Sequence, residues 1–119
     1  MKFTVHGELP SMNEIIAESK KHYGKYSEMK RTYTDVVFYS CYKFQKVENK
    51  VNLKFKWFCK NKKKDKDNIM AGQKFVIDGM VKAKIIKNDG WNKIGTISHE
   101  FEIDKNNVRV EVEIEEVKL

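Results

Sequence analysis

The chain is poor in the residues that staple or interrupt a fold: two cysteines, one proline and six glycines in 119 residues. Two cysteines cannot build the disulfide framework of a small secreted scaffold. Cys41 falls in a helical pattern and Cys59 ends a strand-like run, so both are expected as small buried apolar residues. His6, His22 and His99 stand far apart, without zinc-ligand spacing to either cysteine. No apolar run approaches the roughly 20 residues of a membrane span, and the first residues lack a signal-peptide pattern. A cytoplasmic protein with no membrane partner is the expectation.

What is present suffices for a core. Hydrophobic residues make up 40% of the chain and aromatics 12%, which argues against disorder. The formal net charge is +7 and is unevenly spread. Ten lysines against two acids lie between Lys43 and Lys66, whereas seven acids against three basic residues lie from Glu100 to Leu119. A lysine-rich segment is the footprint of a polyanion partner such as DNA, because neutralising phosphates releases condensed counterions. It is equally the composition of a solvated face, and charge alone does not choose between them.

Lys2 to Gly7 alternates polar and apolar residues, as a strand does. Ser11 with Glu14 forms a capping box after Pro10, so a helix is expected to start there. Tyr26, Met29, Tyr33, Val36, Val37, Cys41 and Phe44 recur at three- and four-residue spacing and predict a longer helix. Val51 to Cys59 has a period of two, with Trp57 on the apolar side and expected in the core. Ile69 to about Ala83 reads as one helix, and Lys87 to Asn92 as a turn-rich loop. Ile94 to Ile103 and Val108 to Val117 read as a hairpin joined by Asp104-Lys105-Asn106-Asn107. The pattern predicts a single α+β domain over residues 1–119, a mixed sheet packed with helices.

The chemistry-bearing stretch is Asp65-Lys66-Asp67-Asn68, followed by Lys74, Asp78 and Asp89. Side chains two apart in an extended segment point the same way, so Asp65 and Asp67 project together. On one continuous helix Lys74 and Asp78 would fall within about 20° of Asp67. Two carboxylates about 4 Å apart repel by roughly 4 kcal/mol at an effective dielectric near 20. A bound divalent cation relieves that repulsion. A donor set of Asp without His or Cys suits a hard ion, Mg²⁺ or Mn²⁺, which can activate water and polarise a phosphodiester. Lys74 would add positive charge there. Each residue also has an ordinary structural role. Asp67 or Asn68 can cap a helix, Asp78 can pair with Lys74 or Lys82, and Asp89 before Gly90 is common turn chemistry.

The run Asp65-Lys66-Asp67-Asn68-Ile69, then Lys74-Phe75-Val76-Ile77-Asp78-Gly79-Met80, then Asn88-Asp89, resembles the RusA family of Holliday-junction resolvases, most closely its prophage-borne branch from Gram-positive bacteria. Phe3 to Gly7 and Leu9 to Glu14 resemble that family's opening strand, loop and helix. The resemblance implies a Mg²⁺-dependent homodimer that resolves four-way DNA junctions by paired nicks. It places the essential acids on Asp65, Asp67 and Asp89, the essential lysine on Lys74, and supporting roles on Asn68 and Asp78. Two departures stand out. The family often has two adjacent acids where this chain has Asn88-Asp89, and the interval from Asp67 to Lys74 is longer than in the best-known member.

Lys54, Lys56, Lys60, Lys62, Lys63, Lys64 and Lys66 are the expected phosphate contacts. Trp91, beside Asp89-Gly90, is a candidate to stack on a base. Phe38, Tyr39 and Tyr42 offer aromatic surface for a dimer interface or for the core. Competing expectations are a nuclease acting on flaps or nicked duplex, a non-catalytic DNA-binding protein of a mobile element, and an enzyme weakened by Asn88.

Overall fold

In a computed structural model describing residues 1–118, strand β1 (Lys2–His6) opens the chain and buries Phe3 and Val5 on one face. Gly7, at φ 89°, turns the backbone through the left-handed region that glycine tolerates best. The expected capping box then forms. The Ser11 backbone N–H and hydroxyl both donate to the Glu14 carboxylate, at 3.3 and 2.9 Å, and α1 (Met12–Ser19) begins. After Gly24, also left-handed, α2 (Lys25–Cys41) turns Val37 and Cys41 into the core. Met29, Tyr33 and Phe44 pack at its margin, while Val36 faces outward.

β2 (Val51–Cys59) buries Val51, Leu53, Phe55 and Trp57, as its period of two predicts. The helix expected from Ile69 to Ala83 is in fact two, α3 (Lys66–Met70) and α4 (Gln73–Lys82). They part at Ala71-Gly72. A Cβ on Gly72 would lie 3.0 Å from the Trp57 indole and 3.1 Å from Leu9, so a glycine lets the chain pass this crowded point. Asp67 therefore lies on α3 and Lys74 and Asp78 on α4, so the single continuous helix expected to align them is interrupted at two residues. Further along α4, a Cβ on Gly79 would lie 2.4 Å from Cγ1 of Val37, and this glycine brings α4 against α2.

β3 (Ile94–Ile103) and β4 (Arg109–Glu116) are strands as expected, but they do not pair with each other. The sheet order is β1-β4-β2-β3, with β2 antiparallel to β4 and parallel to β3. The segment after β3 crosses the end of β2, where the Asp104 N–H donates to the Cys59 carbonyl at 2.9 Å. β4 then continues between β1 and β2. The burial patterns agree with this order. Central β4 buries Val110, Val112 and Ile114, whereas edge strand β3 buries no residue fully. The result is an α+β fold, with helices on one sheet face and one hydrophobic core between. Among the described residues no helix is long and apolar enough to cross a membrane.

Candidate metal and nucleic-acid site

α3 and α4 form the crossover between parallel strands β2 and β3, so Asp65 and Asp67 leave from the carboxyl end of β2. In open α/β sheets that end is where ligand-binding loops gather. A salt-bridged knot holds this segment. Lys64 donates to Glu8 at 2.7 Å and to Glu14 at 2.9 Å, and Lys60 lies 3.3 Å from Glu8. The Lys64 ammonium holds the Glu8 carboxyl below its ordinary range. At Glu14, partial burial acts upward, but hydrogen bonds from Lys64 and Ser11 outweigh it and the net shift is down. Asn68 completes the knot. Its side-chain oxygen accepts the Asn13 backbone N–H at 2.9 Å, capping α1 from α3. No sequence signal announces these ties, because their partners lie 50 or more residues apart.

Asp65, Asp67 and Asp89 are exposed and make no ion pair among the described residues. As donors they suit a hard cation. They do not come together within one chain. Asp65 and Asp67 follow β2, whereas Asp89 precedes β3, whose first residue Ile94 is level with Val51 at the start of β2. Turn bonds from the Lys93 and Ile94 N–H groups to Gly90 hold the loop at that start. At about 3.3 Å per residue, the nine residues of β2 set these two ends roughly 26 Å apart. Among the described residues no group of three His, Cys, Asp or Glu side chains is placed to hold a metal.

Lys74 and Asp78 share a face of α4, with Lys74 Nζ 3.8 Å from Asp78 Oδ2. Lys30 of α2 lies 3.8 Å from the same oxygen, which is buried and has no hydrogen-bond partner. Sequence spacing suggested the first pair but could not reveal Lys30. One residue before Lys74, Gln73 belongs to a chain of polar contacts missed by sequence reasoning. The Trp57 indole N–H donates to His99 Nδ1 at 2.8 Å, and His99 Nε2 lies 2.8 Å from Gln73 Oε1. Because indole nitrogen only donates, Nδ1 must accept and Nε2 must carry the proton. Burial pushes the His99 pKa down.

The seven candidate phosphate-binding lysines divide into groups. Lys54 and Lys56 stand on the open sheet face opposite Glu113 and Glu111 of β4, and Lys56 pairs with Glu102 at 3.5 Å. Lys60 and Lys64 are engaged in the knot. Lys62, Lys63 and Lys66 make no ion pair among the described residues, although Lys66 lies 5.6 Å from the Phe101 ring centroid. These three, with Lys54, which is also exposed and makes no ion pair among the described residues, are the most available to a polyanion. Trp57 is core, as expected, and Trp91 is 94% exposed. Of the two cysteines, Cys41 is buried and Cys59 only partly so. Phe38, Tyr39 and Tyr42 cluster together, with Tyr39 and Tyr42 exposed.

Two cavities flank the Lys60–Lys66 segment. One, of about 490 Å³, is walled by Leu9, Trp57, Ile69 and Val110. The other, of about 630 Å³, includes Asp65, Lys62, Lys66 and Phe101. Cys59, Asn61, Lys64 and Ile69 border both. A scan against protein-family models finds no match to this chain, and neither does a search of curated proteins.

Proposed function

We propose that the chain is a Mg²⁺-dependent endonuclease of the RusA type, with Mn²⁺ able to substitute, that resolves branched DNA as a homodimer. The observation that carries this reading is the placement of Asp65 and Asp67. Their exposed carboxylates, free of ion pairs among the described residues, leave the carboxyl end of a parallel strand beside unpaired Lys62, Lys63 and Lys66. Asp89 lies at the other end of that strand pair, so one chain supplies an incomplete ligand set. A second copy related by a two-fold axis can bring Asp89 of the partner subunit to Asp65 and Asp67. A bound Mg²⁺ would supply an activated water and charge stabilisation at the scissile phosphate. Lys62, Lys63 and Lys66 hold flanking phosphates. Lys74, 3.8 Å from Asp78, is the lysine that the RusA resemblance makes essential.

The test is incubation of the purified protein with a labelled four-way junction and with plain duplex, in Mg²⁺ and in EDTA. Junction-selective, Mg²⁺-dependent nicking that Asp67→Asn abolishes is the expected result. A second reading, a non-catalytic DNA-binding protein, rests on the exposed Lys62, Lys63 and Lys66 alone, which are unpaired among the described residues. Junction binding without cleavage, unchanged in Asp67→Asn, would establish it instead.

A further inference from the structure

The 490 Å³ cavity lies where β1 and β2 end and β4 begins, on the side of the lysine segment away from Asp65. Its volume falls within the range of about 300–1,000 Å³ that holds small organic groups. Leu9, Trp57, Ile69 and Val110 make its walls largely apolar. The rim is cationic. Lys60, Lys63, Lys64 and Arg109 border it; Lys60 and Lys64 are paired with Glu8, Lys64 also with Glu14, and Arg109 with Asp104 and Glu111. Lys63 remains unpaired among the described residues.

An apolar slot under a cationic rim complements a flat heterocycle attached to a phosphate. We propose that this cavity accepts one unstacked base of the DNA strand, with Lys63 on the adjoining phosphate. The proposal rests on the nuclease reading, since the same lysine segment runs directly into Asp65. The cost of extrusion is smallest for a base that is already unpaired. The Asn61 amide borders the cavity as a polar group that can meet the base edge, whereas the Glu8 carboxylate is engaged by Lys60 and Lys64.

Cys59 borders this cavity and the neighbouring one and is partly exposed, whereas Cys41 is buried, so alkylation of Cys59 reports on occupancy and Val108, which lines this cavity alone, assigns it. The full chain is treated with N-ethylmaleimide in EDTA, alone, with oligothymidylate, and with an abasic strand of equal length. Modification is read by peptide mass. Oligothymidylate is expected to slow Cys59 alkylation at least tenfold, and the abasic strand less than twofold. Val108→Phe, which narrows the cavity, should remove the protection while retaining affinity for the abasic strand. Equal protection by both strands, or none by either, overturns the proposal without needing the variant. No cleavage enters this assay. A protein that nicks junctions but shows no base-dependent protection keeps the nuclease reading and loses this one, and the converse result does the reverse.

Discussion

His99 takes the indole N–H of Trp57 on one ring nitrogen and faces Gln73 with the other, which ties β2, β3 and α4 through one neutral imidazole. The ring also lies nearly parallel to Phe55 and Trp57, at interplanar angles of 15°. Protonating Nδ1 would set an N–H against the indole N–H, two donors with no acceptor between them.

That arrangement predicts a pH-dependent stability. The folded protein holds the His99 pKa below its ordinary value of 6.5, so the unfolded chain binds the proton more readily. The stabilisation is present above about pH 6.5, the unfolded value, and is lost as pH falls through the folded pKa. Thermal melts from pH 8 to pH 5 should show a falling midpoint in this window. His99→Phe should flatten the slope whatever its starting stability, and an unchanged slope would remove His99 as the cause.

Gly79→Ala is expected to destabilise the fold. The added methyl would meet Val37 at 2.4 Å, far inside van der Waals contact, between two helices that pack face to face. Overpacking of this kind costs about 1–3 kcal/mol, offset by less than about 1 kcal/mol from alanine's better helix propensity. Urea denaturation should show a lower midpoint at unchanged m-value. Val37→Ala in the same chain should recover part of the loss.

Much of this fold is legible in the sequence because the signals are local. The period of two in Val51 to Cys59, the Ser11–Glu14 capping box and the alternation of Val110, Val112 and Ile114 each specify an element from neighbouring residues alone. The strand pairing is not local. β3 and β4 are adjacent in sequence and each suits a hairpin, yet β2, far upstream, lies between them. Burial is what distinguishes the orders, since β4 needs a neighbour on both sides and β3 does not. The close approach at Gly72 is not legible for a similar reason, because its neighbours Trp57 and Leu9 are tertiary. At the site, the residue types were readable but their distances were not. The sequence shows that Asp89 follows Asp67, but not that a whole strand length intervenes.

Asn68 illustrates how a residue within a catalytic-looking motif can have a structural task. Its oxygen accepts the Asn13 N–H across 55 residues of sequence. Asn68→Ala should lower stability by about 1 kcal/mol, as loss of a helix cap does. Asn68→Asp keeps the acceptor and should retain most of it. Chemical denaturation distinguishes the two variants, and equal losses would show that the Asn13 contact contributes nothing.

The separation of Asp89 from Asp67 makes a prediction about mixed dimers. If each metal site joins Asp65 and Asp67 of one protomer to Asp89 of the partner subunit, Asp67→Asn and Asp89→Asn homodimers are both inactive. In a heterodimer of the two variants, one composite site carries both lesions and the other carries neither. Random re-association makes half the dimers heterodimers, each with one intact site, so roughly a quarter of wild-type nicking activity should return. The products should be junctions nicked on one strand, because paired cutting needs both sites. A site built within one chain behaves differently, since every protomer in every mixture then carries a lesion. Mixing the refolded variants and following a labelled junction in Mg²⁺ decides between these arrangements, and absence of any recovery would exclude the shared site.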